Sequence, residues 1–167
     1  DGTPLHEALG ECLKAGVEAV EIGSNHCFED SYDYVSDYPF KFLVHNYFPI
    51  PKESFVLNIA SFDEGIRKKS VNHIKKAIEF CSEAGAELYT FHPGFLTDPT
   101  GSNTTKHNYD FQWDEIQLQN SHYETALNNM YHALDEAVNY AQLKKISIAI
   151  ETEGSLNKKD HLLMQRP

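Results

Sequence analysis

Three side chains in this sequence could together hold a divalent ion or move a proton: His45, His92 and Glu151. Each closes a short run of apolar and β-forming residues, at 40–44, 87–91 and 146–150. A fourth run, residues 17–23, has the same grammar and carries Glu21 near its end. Imidazole and carboxylate are ligands for Zn²⁺, Mn²⁺ and similar ions, and a carboxylate in such a site can also serve as a base. Groups so far apart in the chain do this chemistry only if the fold gathers them. Parallel strands bring their C-terminal ends to one rim, and in α/β folds the site lies at that rim. The four runs must therefore be parallel neighbours with helices between them.

The intervening stretches supply those helices. Leu5, Ala8, Leu9, Cys12 and Leu13 recur at helical spacing. Thr3 is expected as N-cap, Pro4 at the first helical position and Gly16 as the stop. Residues 24–39, acidic and tyrosine-rich, read as a loop with one short helical turn. Ser61-Phe62-Asp63-Glu64 has the form of a capping box. A long amphipathic helix follows, with Ile66, Ser70, Ile74, Ala77, Ile78, Cys81 and Ala84 on one face and Gly85 at its end. A second capping-box pattern, Ser121 to Glu124, precedes a helix marked by Leu127, Met130, Tyr131, Leu134, Ala137, Val138 and Ala141, with Lys144 and Lys145 at its C-terminus. Residues 95–120 form the longest irregular segment, the length of a functional lid. Residues 157–167 begin another helix.

With 167 residues, 41% of them apolar, the chain can build one real core. Its net charge of −11, from 25 acids against 14 bases, argues against a nucleic-acid surface, which clusters Lys and Arg. Cys12, Cys27 and Cys81 are odd in number and lack CxxC spacing, so they read as thiols in a reducing compartment, which favours a cytoplasmic location. No run approaches the roughly 18 apolar residues of a membrane span. No signal peptide is visible, and the start at Asp1 reads as though residues upstream were missing. Asn103-Thr104-Thr105 matches a glycosylation acceptor and is read as chance.

The motifs also resemble a known family. His45-Asn46-Tyr47 with Leu57-Asn58-Ile59-Ala60-Ser61 resembles the H-x-x-Y…N-L-A-S segment of the xylose-isomerase-like TIM-barrel superfamily, and Arg67 and Ser70 fit the helix that follows. Phe91-His92-Pro93-Gly94 resembles its H-P-G strand end, and Ile148-Ala149-Ile150-Glu151-Thr152 its fifth-strand I-x-L-E-x signature. That superfamily contains sugar phosphate isomerases/epimerases and endonuclease IV. The resemblance implies an α/β fold of the (β/α) TIM-barrel type. It implies one partial-barrel domain over residues 1–167, covering about strands 2 to 5 of the eight in a whole barrel. It also implies that His45 and His92 bind metal, as in the endonuclease IV branch, and that Glu151 binds metal and, as in the epimerases, takes part in proton transfer. The family's remaining ligands come from strands six to eight, which this stretch lacks, as it lacks the first strand. The tyrosine after His45 sits one residue early, and extra residues separate it from Leu57-Asn58, so the pocket wall is altered.

Three functions are then open. The first is a metal-dependent sugar or sugar-phosphate isomerase/epimerase that abstracts a proton next to a carbonyl, using Zn, Mn, Mg or Co. Glu151 would be its base, and His45, His92 and Glu151 its metal ligands. Glu21 would bind a substrate hydroxyl, and Trp113, with Phe111, would close over the sugar ring; the structural alternatives are Glu21 braced on a neighbouring strand and the aromatic pair packing its own loop. The second is an endonuclease IV-like phosphodiesterase, favoured by the two histidines and opposed by the acidity. The third is a non-catalytic barrel fragment. His26, His107, His122 and His132 share no spacing and read as surface residues. Exposed apolar strand edges would promote association, including homo-oligomers.

Overall fold

The computed structural model describes residues 2–99, 101–102, 111–112, 120–152 and 163–164. Its centre is a four-stranded sheet. The strands are β1 (Ala19–Ile22), β2 (Lys41–His45), β3 (Leu88–Phe91) and β6 (Ser147–Ile150). They lie in the order β1-β2-β3-β6, and every pairing is parallel. A small antiparallel pair, β4 (Gly101–Ser102) with β5 (Phe111–Gln112), stands apart. Helix α1 (Leu5–Lys14) precedes β1; a 3₁₀ turn at Asp33–Asp37 and helices α2 (Glu64–Ala84) and α3 (Asn120–Lys144) lie in the connections that follow. The four runs read from the sequence are thus the four parallel strands, and the short helical turn within 24–39 is the 3₁₀ segment.

The strands have one covered face. Phe42 and Val44 of β2 and Tyr89 and Phe91 of β3 point into the core with Ile74, Ala77, Ile78 and Cys81 of α2. The alternate positions, Lys41 and Leu43, point the other way, and Leu43 is 41% exposed. Strands of parallel sheets are usually buried on both faces. Here, among the described residues, only the helix side is covered. The opposite face carries His45, Thr90 and Glu151 at one end.

Helix ends differ from expectation in three places. Pro4, not Thr3, is the N-cap of α1, with no side-chain cap; the free N–H of Leu5 instead donates to Glu29 Oε1 at 3.0 Å. α2 is capped by Asp63, whose Oδ1 accepts from Gly65 N (2.7 Å) and Ile66 N (3.1 Å), while Ser61 Oγ accepts from Asp63 N. Asp63, two residues after Ser61, wins the first turn because its carboxylate meets the partial positive charge of the helix start. α3 begins at Asn120, so Ser121 lies inside it rather than capping it. Gly85 ends α2 as expected, at φ 72°.

The buried face of α3 is also rotated from the predicted one. Ala126, Met130, Ala133, Ala137 and Ala141 are buried, whereas Tyr131 and Val138 are exposed. Alanines let α3 approach its neighbours closely, and a tyrosine on that face would hold it away. No described helix is long and apolar enough to cross a membrane. Of the segment 157–167, only Leu163 and Met164 are described, and Leu163 is buried in the core.

Candidate metal centre

The strand register determines which side chains meet. His45 is the last residue of β2 and pairs with Thr90 of β3. β3 and β6 pair through Phe91 and Ile150, and the ladder runs one step further, with Glu151 N donating to Phe91 O at 2.9 Å. His92 and Glu151 are therefore the next residues past these paired strand ends. Successive side chains alternate across a sheet, so Thr90, His92 and Glu151 share the face that His45 occupies.

The result is one cluster. One potential ligand atom from each of His45, His92 and Glu151 lies within 4.8 Å of the others, and all three residues are half-buried. The two imidazole rings stand edge to face, 5.4 Å apart at 85°. His45 Nδ1 is 3.5 Å from Glu151 Oε1 and 2.8 Å from Thr90 Oγ1. Two imidazoles and a carboxylate are a donor set for Zn²⁺ or a similar ion. A tetrahedral ion with bonds of about 2.1 Å needs ligands about 3.4 Å apart, so these side chains would draw in by about an ångström. The residues present fit the ion as part of a ligand set.

Glu21 lies on the same face but one layer down. It pairs with Leu43, two residues before His45, and its side chain is exposed. The structure does not bring it into the His45–His92–Glu151 cluster. Trp113 lies outside the described residues, as do His107 and Asn103-Thr104-Thr105. His132 is exposed. His26 is half-buried, with Nδ1 3.1 Å from Thr3 O, and His122 is half-buried with its ring 5.8 Å from that of Phe62.

Sequence reasoning gave no role to three groups that the structure brings into play. Thr90, two residues before His92 and so on its face, was legible from strand parity. Asn58 was visible only as a motif letter; it is fully buried and bonds to Asp98, Ala60, Phe95 and Ser70. His73, on the buried face of α2, sits near Tyr47 and Phe55 with its Nε2 unpartnered. Burial pushes its pKa down to about 4, against a raising hydrogen bond to the Asn46 backbone, and the Lys76 charge adds to the lowering. That histidine stays neutral and belongs to the core.

Comparison with known proteins agrees with the topology. The profile of the xylose isomerase-like TIM barrel family matches residues 9–161. An uncharacterized protein of Methanocaldococcus jannaschii is 27% identical over 155 residues, which is 90% of this chain and 51% of the relative. A probable endonuclease 4 of Aquifex aeolicus is 29% identical over 109 residues, 59% of this chain and 39% of the relative. Among solved structures, a D-tagatose 3-epimerase-like protein superposes with a TM-score of 0.65 at 24% identity, covering 92% of this chain and 51% of that one. The chain thus spans about half the length of the relatives it matches over most of its own length. With four parallel strands in chain order, helices between them and the family profile running through nearly all of it, the chain belongs to the xylose isomerase-like TIM barrel family and forms part of such a barrel.

Proposed function

We propose that this chain carries part of the active site of a metal-dependent sugar or sugar-phosphate isomerase or epimerase. The observation that carries the reading is the meeting of His45, His92 and Glu151 at the C-terminal rim of a parallel sheet. Glu151 takes the proton from the carbon next to the substrate carbonyl. The electron pair left behind moves to the carbonyl oxygen, and the proton returns to complete the isomerisation or epimerisation. A bound divalent ion supplies Lewis-acid stabilisation of the oxygen that gains charge. His45 and His92, with Glu151, hold that ion; Thr90 orients the His45 ring. Glu21, lower on the open face, and Trp113 contact the sugar. The fold likeness to a D-tagatose 3-epimerase-like protein supports this substrate class.

A second reading has its own support: relatives named probable endonuclease 4, and two histidines in the donor set. In it the same residues would hold ions, whose chemistry would be activation of water against a phosphodiester. The charge of −11 disfavours a DNA surface, and so ranks this reading second.

The deciding experiment measures metal content, aldose–ketose interconversion and cleavage of abasic DNA. It is run on this chain and on one extended to the length of the relatives. Metal-dependent sugar turnover lost in Glu151→Gln supports the first reading. Cleavage of abasic DNA without sugar turnover supports the second. No bound metal in the extended chain, native as well as His92→Ala, overturns both and leaves the non-catalytic reading.

A further inference from the structure

His92 stands just past the end of β3, where the paired strand gives way to loop. The loop at 93–98 must therefore be held by something else if the imidazole is to face His45 and Glu151. Asn58, from the segment before α2, does this. Its Oδ1 accepts two amide hydrogens, from Phe95 at 3.0 Å and from Ala60 at 3.1 Å. Its Nδ2 donates to Asp98 Oδ1 at 2.8 Å, and its backbone N–H donates to Ser70 Oγ in α2 at 3.0 Å. The other oxygen of Asp98 accepts from Ser61 Oγ at 2.5 Å. One side chain thus ties both ends of the His92 loop to the start of α2.

The fit is specific to an amide. The position requires an acceptor toward two buried N–H groups and a donor toward the half-buried Asp98 carboxylate, and the Asn58 side chain itself is fully buried. Asp at 58 would set two carboxylates against each other, Leu would leave two buried N–H groups unpaired, and Gln is too long for the space. Gly94 completes the fit. It has φ +106°, and a Cβ there would lie 2.2 Å from Asn58 Oδ1.

We infer that Asn58 is a positioning residue for His92, holding the loop at 93–98 in the one course that keeps His92 in the cluster with His45 and Glu151. The inference rests on the metal reading of that cluster only in its affinity readout. Ligand geometry must hold to within about half an ångström, and losing an outer partner of a ligand typically weakens metal binding by about 10–100-fold.

The test compares the native chain, Asn58→Asp and the double variant Asn58→Asp/Asp98→Asn. In the double variant the donor moves across the pair: Asn at 98 offers Nδ2 to the new carboxylate and Oδ1 to Ser61. Zn²⁺ affinity is measured by competition titration, folding by circular dichroism, and the His92 ring by its ¹H–¹³C NMR signals at one fixed pH. Asn58→Asp is expected to weaken Zn²⁺ binding about tenfold or more and to displace or multiply the His92 signals. The double variant is expected to restore both. Native affinity and unmoved His92 signals in a folded Asn58→Asp overturn the inference, as does a folded double variant that restores neither. Should the native chain bind no Zn²⁺, the metal reading fails and the NMR signals decide alone. Unmoved in Asn58→Asp they overturn the positioning role; displaced there and restored in the double variant, they uphold it.

Discussion

His45 Nδ1 lies 2.8 Å from the hydroxyl oxygen of Thr90, its partner in the β2–β3 register. The same nitrogen is 3.5 Å from Glu151 Oε1, so the hydroxyl holds the ring in one orientation beside that carboxylate. Thr90→Val keeps the shape and removes the hydroxyl. It is expected to weaken Zn²⁺ binding by about tenfold, with Thr90→Ser close to native, both by isothermal titration. Equal affinities in all three proteins would show that the hydroxyl does not tune the site.

Two glycines should respond oppositely to alanine. Gly94 is at φ +106° against Asn58, so Gly94→Ala is expected to cost about 2 kcal/mol or more. Gly10 lies inside α1, where a Cβ meets nothing within 4 Å; Gly10→Ala is expected to stabilise by about 0.5–1 kcal/mol. Urea midpoints measure both. Matching shifts of one sign would contradict the close contact at Gly94.

Stability should depend on pH through His73. Its ordinary pKa is 6.5, and burial lowers it to about 4 in the folded chain. The unfolded chain therefore takes up the proton first as pH falls. His73's contribution is full above pH 6.5 and is lost progressively between pH 6.5 and 4, by about 3 kcal/mol in all. Melting temperatures across that window should fall less steeply in His73→Phe than in the native chain. Parallel slopes would assign the acid sensitivity to other groups.

Cys81 is fully buried and its pKa is pushed up to about 12 by that burial, whereas Cys12 and Cys27 are half-buried. Thiolate is the reactive form, so a thiol-specific reagent should reach Cys81 only on unfolding. Labelling of the native protein followed by peptide mass analysis reads this directly; early modification of Cys81 would mean that α2 opens.

The sequence by itself determined the strands and the residues at their tips. Short apolar, β-forming runs at 40–44 and 87–91, helix-period stripes between them and stops at Gly16 and Gly85 are local signals, set by side-chain polarity and backbone freedom within a few residues. Strand parity alone puts Thr90 on the same face as His92, within one strand. Register is another matter: that His45 sits beside Thr90, and Glu151 beside His92, depends on how whole strands slide against one another, which core packing decides. The same holds for the turned face of α3, where Ala126, Ala133, Ala137 and Ala141 outcompete the larger Tyr131 and Val138 because close approach excludes bulk. Asn58 and Asp98 are 40 residues apart. No periodicity links them, and only the folded chain, which removes both from most contact with water and leaves each the other's partner, makes them a pair.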